Sequence, residues 1–319
     1  MLTTRPVVSI FSVVVMVLGA GTLWGQDFPT KPIRILATEA GANFDLQARM
    51  IAPGISASLG QPVIVENISS AILPDILAKT APDGYTMATA GSAFWVTPLT
   101  QKTSYDVVRD FAAITMMTTY PYLLIVHPSL PVKSTKDLIN LAKANPGVLN
   151  IGATASPGGA SFLAAELFKA MAGINIVSIP YKGAGPGVLG LISGEVQLMF
   201  PSAGAAVTHI KSGKLRALAV TSAQPSALVP GVPTLAATLP GYESASIIAA
   251  FAPAKTPANV INTLNREIVR FLNTPAVKEK LFVVGLEVYG TSPQETVARI
   301  KDDMTKMGKV IKDAGIRAE

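Results

Sequence analysis

Residues 178–202, SIPYKGAGPGVLGLISGEVQLMFPS, decide the fold class of this chain. They read as a strand end, a Gly/Pro loop, a short helix, a turn and a second strand. The β-branched run from Ile174 to Ile179 suits a strand, which Pro180 is expected to stop. Val188, Leu189 and Ile192 give the helix an apolar stripe, and Gly194 suits a left-handed C-terminal cap. Val196 to Phe200 forms the next strand, closed by Pro201. A strand, helix and strand this close together predict a βαβ unit with parallel pairing. The same stretch contains a false lead. Gly185, Gly187 and Gly190 match GxGxxG, but Tyr181 and Lys182 separate them from the strand, and after Glu195 the next acid is Glu243. A dinucleotide site needs the glycines directly after a strand and an acid about 20 residues on, so these read as turn and packing residues.

Outward from this unit, strands and helices alternate. Ile33 to Leu36 reads as a buried strand; after its loop, Met50, Ile51, Ile55 and Leu59 make a helical stripe that Asp45 caps. Pro53 is expected to kink that helix. Val63 to Val65, Tyr85 to Ala90 and Tyr122 to His127 read as strands, and Ile72 to Ala78 as a helix. Ser134 with Asp137 resembles a capping box, and Ser292 with Glu295 is another. Asn150 to Ala153 is a strand that opens onto a Gly/Ser loop and then an apolar helix, Phe162 to Met171. Arg216 to Thr221 and Ile247 to Ala252 are further strands, and Thr256-Pro257 opens a helix carrying Ile261, Leu264, Ile268 and Phe271 on one face. The pattern predicts an α/β protein with ligand loops along one edge of a parallel sheet. The loops Glu39 to Asp45 and Thr154 to Ser161 lie far apart in the chain, which suits two domains facing across a cleft.

Composition narrows the function. The chain has 319 residues, 49% hydrophobic and 14% charged, enough for two domains with large cores. The net charge of +6 is scattered without a basic run, so nucleic-acid binding gains no support. With no Cys and only His127 and His209 as imidazoles, neither a thiol nucleophile nor a His-rich metal site is expected, and no cofactor motif is present. Gly91-Ser92-Ala93-Phe94 lacks the second glycine of a nucleophile elbow, and the histidines follow no triad signature, so an enzyme is not expected. A secreted hydrolase is the weaker alternative. Arg5, the apolar run Val7 to Leu18 and the small residues up to Gly25 make residues 1–25 a signal peptide, with the mature chain starting near Gln26 in the periplasm.

The order of several short motifs carries a resemblance. They include Phe28-Pro29-Thr30-Lys31-Pro32-Ile33; Gly41 with Asp45, Ala48 and Arg49; and Ala81-Pro82-Asp83-Gly84-Tyr85-Thr86. Pro180-Tyr181-Lys182-Gly183, Gly213-Lys214-Leu215-Arg216-Ala217-Leu218, Val232-Pro233-Thr234-Leu235 and Ala252-Pro253 with Thr256-Pro257 follow. In this order the chain resembles the periplasmic solute-binding proteins of tripartite tricarboxylate transporters, often called Bug receptors. The resemblance implies a two-domain Venus-flytrap fold, each domain a mainly parallel sheet flanked by helices. Residues 26–127 plus 247–319 would form domain 1, and residues 128–246 an inserted domain 2. It implies a monomer that takes a small organic carboxylate and passes it to integral membrane transporter subunits; a ligand sensor for a membrane signalling protein is the other reading.

It also implies a site in which loop N–H groups and hydroxyls hold one carboxylate. The candidates are Gly41, Asn43, Phe44, Asp45, Ser92, Ala93, Phe94, Thr154, Ser156, Gly158, Gly159, Ser161, Tyr181 and Ser202. For each hydroxyl, a helix cap or solvated loop is the competing reading. Asp45 is read as a cap, Arg49 as its ion-pair partner, and Lys182 as solvated. Thr38, Glu39, Gly41 and Ala42 stand where the family carries an aromatic residue, a Pro or Ala and two glycines. An ionised Glu39 facing the cleft would repel a second nearby carboxylate. Phe44, Phe94 and Trp95, if they face the cleft, would favour a planar or aromatic acid over a compact tricarboxylate; the competing reading buries them in the core.

Overall fold

The computed structural model describes residues 28–38, 40, 43–154 and 160–313. The proposed leader, Glu39, Gly41, Ser156, Gly158 and Gly159 lie outside these residues, and of Asn43 and Thr154 only the backbone is described. In chain order the first part comprises β1 (Ile33–Ala37), α1 (Asn43–Leu59), β2 (Val63–Asn67), α2 (Leu73–Lys79), β3 (Thr86–Gly91), α3 (Ala93–Thr100), α4 (Val107–Asp110) and β4 (Phe111–Pro121). Next come β5 (Leu123–Val126), α5 (Thr135–Ala144), β6 (Asn150–Thr154), α6 (Ala160–Ala172), β7 (Val177–Tyr181), α7 (Ala184–Ile192), β8 (Leu198–Met199), α8 (Ala203–Lys211) and β9 (Arg216–Val220). The chain ends with β10 (Ala245–Pro253), α9 (Ala258–Leu272), α10 (Pro275–Val283), β11 (Glu287–Val288) and α11 (Pro293–Asp313).

These elements build an α/β fold of two lobes, one sheet in each. The first sheet has the order β11-β4-β10-β3-β1-β2, the second β7-β6-β8-β5-β9. Helices cover both faces of each. In the first, Ile51, Ile55, Leu264 and Ile268 pack α1 and α9 on one face, and Leu77, Trp95, Ile300 and Val310 pack α2, α3 and α11 on the other. In the second, Leu138 and Phe168 of α5 and α6 oppose Val188, Leu191 and Ala206 of α7 and α8.

The sheets are mixed where mainly parallel ones were expected. β1 pairs parallel with β2 and β3, but β10 runs antiparallel to both β3 and β4. In the second sheet β6 pairs parallel with β7 and β8, while β5 is antiparallel to β8 and β9. The short β11 is also antiparallel to β4. The strand expected at Tyr122 to His127 belongs to the second sheet, because Leu123–Val126 takes its ladder from Leu198–Met199 and Arg216–Val220. Sheet membership therefore changes at Tyr122, six residues before the expected boundary at Pro128, and changes back between Val220 and Ala245.

The opening βα unit is realised with two adjustments. β7 and β8 are parallel, yet β6 lies between them. Pro180 does not end its strand; it sits inside β7 opposite Ala153, on the sheet edge, where a missing N–H costs no ladder bond to a further strand. Gly194 follows α7 with φ 81°, the left-handed cap that was expected. Of the GxGxxG glycines, Gly187 and Gly190 lie inside α7 and let it approach the sheet. A Cβ on Gly187 would stand 2.5 Å from Met199 Cε, and one on Gly190 2.3 Å from the Tyr181 hydroxyl. They are packing residues. The capping boxes also form: Ser134 Oγ accepts from Asp137 N, and Ser292 Oγ from Glu295 N while Glu295 Oε2 accepts from Ser292 N.

The lobes meet through α11. Its Ile300, Met304 and Met307 share one apolar cluster with Phe162, Leu163 and Leu167 of α6. Beside this contact Asp303 Oδ2 accepts from Trp95 Nε1 at 2.6 Å. Burial raises the Asp303 carboxyl above the usual carboxylate range; the Trp95 bond and Arg299 oppose this, and Glu243 and Asp302 reinforce it. Because the folded value exceeds the unfolded one, the contribution to stability is complete below the unfolded value and is lost as pH rises through the folded one. Denaturant melts between about pH 4 and 7 should therefore show wild type losing stability relative to Asp303→Asn as pH rises. Parallel profiles for the two proteins would refute this.

Candidate functional site

The C-terminal ends of β1 and β3, parallel neighbours, open side by side on one edge of the first sheet. The chain leaves β1 through Thr38 and leaves β3 through Gly91-Ser92 into α3. Gly91 is required here: a Cβ would stand 2.6 Å from Cε1 of Phe44, whose ring crosses the strand end from the first turn of α1. Asn67, at the end of β2, secures the neighbouring backbone. Its Nδ2 donates to Thr38 O at 2.7 Å and to Asp45 Oδ1 at 2.8 Å, and its Oδ1 accepts from Arg49 Nη2 at 2.8 Å. Arg49 Nε closes the set against Asp45 Oδ1 at 2.9 Å.

A cavity of about 450 Å³ starts at these strand ends. Thr38, Phe44, Ala90 and Gly91 line it at the strand ends. Ala93, Phe94, Thr97 and Gln101, one face of α3, run along it, opposite Leu73 and Pro74 of α2 and the preceding Ser70-Ala71. The loop Lys102–Tyr105 completes the lining. The lining mixes apolar side chains with hydroxyls, among them Thr38 and Thr97, the Gln101 amide and a single ammonium, Lys102. Tyr105 stacks on Phe94 with ring centroids 5.2 Å apart and donates its hydroxyl to Phe94 O at 3.0 Å. Burial first, then the neighbouring Asp75, pushes the Tyr105 hydroxyl up to about 12, so it stays a neutral donor.

Of the residues read from sequence, the structure brings Phe44, Ala93 and Phe94 to this cavity. Ser92 is buried, and its Oγ accepts from Ile247 N at 3.1 Å, tying α3 to the returning strand β10. Ser161 Oγ is likewise engaged, donating to Phe200 O at 2.6 Å. Ser202 bridges Tyr122 at the lobe crossing and begins α8 without a side-chain cap. Asp45 is the ion-pair and amide anchor described above, and Arg49 pairs with it as expected. Tyr181 packs over Gly187 and Gly190 of α7, away from the cavity. Trp95 is wholly buried in the first lobe, so of the three aromatic candidates only Phe44 and Phe94 line the cavity. Sequence reasoning missed Lys102, Thr97 and Tyr105; the stretch 101–105 carries no motif, and only the fold over α2 encloses it.

The model of the tripartite tricarboxylate transporter family receptor matches residues 47–316. BugT of Bordetella pertussis (strain Tohama I) is 33% identical over 306 residues, covering 93% of this chain and 94% of that protein. Among solved structures, R. palustris Rpa4515 with adipate is 34% identical with a TM-score of 0.76, covering 92% of this chain and 100% of that one. MatC from Rhodopseudomonas palustris with bound malate is 25% identical with a TM-score of 0.71, covering 89% and 100%. With two lobes, a cavity at parallel strand ends and a match over most of its length, this chain belongs to the tripartite tricarboxylate transporter receptor family, the periplasmic Bug solute-binding proteins.

Proposed function

We propose that this receptor captures a small organic carboxylate with an apolar body between its two lobes and delivers it to membrane subunits of a tripartite transporter. The observation that carries the reading is the cavity in the first lobe at the ends of β1 and β3, with hydroxyls such as Thr38 and Thr97 in its lining beside Phe44, Leu73 and Phe94. Similar proteins hold adipate and malate in their solved structures, which supports the carboxylate class. The lobe boundary we propose follows the sheets: the chain crosses at Tyr122 and returns before Ala245, and closure would hinge there. Export by the apolar leader fits a periplasmic receptor, and among the described residues no helix is long and apolar enough to cross a membrane.

A thermal-shift screen with hexanoate, benzoate, adipate, malate and citrate tests this. A true ligand at a hundredfold excess over Kd should stabilise the fold by about 2.7 kcal/mol. It should also reduce the radius of gyration in solution scattering. If no carboxylate raised the melting temperature, the receptor reading would fail. Citrate giving the largest shift, with the apolar acids inert, would overturn the ligand class instead.

A further inference from the structure

Phe44 lines the cavity but is rooted on the opposite face of the sheet. Its half-buried ring packs against the cluster built by α1 and α9, whereas Leu73 and Phe94 belong to the cluster on the α2 and α3 face. The ring therefore crosses the end of β3, and Gly91 leaves the notch in which it lies. A Cβ on Gly91 would stand 2.6 Å from Cε1 and 2.7 Å from Cζ of that ring. The next neighbour is Ile247 O at 3.6 Å, an ordinary contact, and the Gly91 backbone is not left-handed. The ring alone is thus what excludes a side chain at position 91. The base of Phe44 is fixed: Thr89 Oγ1, wholly buried, donates to Phe44 O at 3.2 Å, and the adjoining Asp45 is tied to Asn67 and Arg49. What is left to move is the ring, about its two side-chain torsions. On one side it meets a close-packed core, on the other the cavity, so a ring driven from the notch turns into the cavity.

From this we infer that Phe44 sets the size of the ligand body this receptor accepts, and that Gly91 is the notch that holds the ring clear of it. The inference deepens the carboxylate-receptor reading above and rests on it. The pair selects by volume. With the ring seated in the notch, the space at the strand ends is open to a body of limited bulk; without the ring, the space extends over the end of β3 toward α1.

Isothermal titration of the full mature protein with three matched pairs tests this: hexanoate and octanoate, adipate and suberate, benzoate and 2-naphthoate. Phe44→Ala should raise the affinity of the larger member relative to the smaller by about tenfold, the worth of two further buried methylenes. Phe44→Leu, which keeps more of the packing against the core, should move the ratio the same way by less. Gly91→Ala should turn the ring into the cavity and weaken both members, the larger more. In the double variant Phe44→Ala/Gly91→Ala the new methyl has no ring to displace, so it should bind as Phe44→Ala does. A uniform loss for all six acids in Phe44→Ala, or a Gly91→Ala effect of equal size with and without the ring, would overturn the inference while the carboxylate reading stood. Binding of none of the six acids to wild type would overturn that reading, and the inference with it.

Discussion

Trp95→Ala is expected to destabilise the protein by about 3–5 kcal/mol, the range for deleting a large buried aromatic side chain. Trp95 is fully buried, on the face of the first sheet where α3 and α11 meet. Its ring lies 6.2 Å from that of Phe251, and Ile300 and Met307 share its cluster. The loss has two parts. The cavity left behind would be too well walled to collapse. Asp303 would also lose the indole donor that meets it at 2.6 Å. Trp95→Phe separates them: it keeps most of the volume, removes the donor and should cost about 1–3 kcal/mol. Guanidinium melts of the three proteins are the measurement. A loss below about 1 kcal/mol in Trp95→Ala would show that the ring is not core. Because Trp95 does not line the cavity, folded Trp95→Phe should bind ligand as wild type does; a large drop in affinity would return this ring to the cleft.

Gly190→Ala should cost about 1–3 kcal/mol, the usual penalty for overpacking. Helix propensity pulls the other way, favouring Ala over Gly inside α7 by up to about 1 kcal/mol. The contact should win. The new Cβ would lie 2.3 Å from the Tyr181 hydroxyl and 2.7 Å from its Cζ, on a ring held between α7 and the edge strand. Tyr181→Phe provides the control. Burial first, then Glu195, pushes the Tyr181 hydroxyl up to about 12, yet among the described residues no group meets its oxygen in hydrogen-bond geometry. Removing that oxygen alone should therefore be nearly neutral. In the double variant the closest contact disappears while Cζ still crowds the new methyl, so part of the loss should return as a coupling of about 1 kcal/mol. Strict additivity would refute this account. Gly187→Ala should cost less, because its nearest neighbour is the flexible end of Met199.

Features confined to a few consecutive residues were legible in the chain. The Ser134/Asp137 and Ser292/Glu295 boxes and the left-handed Gly194 need only their own turn to form. The ordered motifs were enough for the family, and spacing alone dismissed the nucleotide fingerprint. The long strand β4, FAAITMMTTYP, escaped notice. It is buried on both faces for most of its length, so it has no two-residue alternation, and its Ala and Met residues do not favour a strand. Sheet membership escaped too, because Leu123–Val126 reads as a strand in either lobe and only its partners decide which.

By itself, then, the sequence determined the α/β class, the helix ends and the family, because each rests on local periodicity, capping or motif order. Tertiary structure alone decided which side chains were still free to meet a ligand. Ser92 and Ser161 offer hydroxyls in donor-rich loops, but Ser92 accepts from Ile247 N, 155 positions away, and Ser161 donates to Phe200 O, 39 away. Buried polar groups take whatever partner the fold brings within reach, and no local pattern announces which one that will be. Lys102 shows the converse. In the chain it is one lysine among many; once α2 and α3 wall a cavity, it is the cation in that cavity's lining.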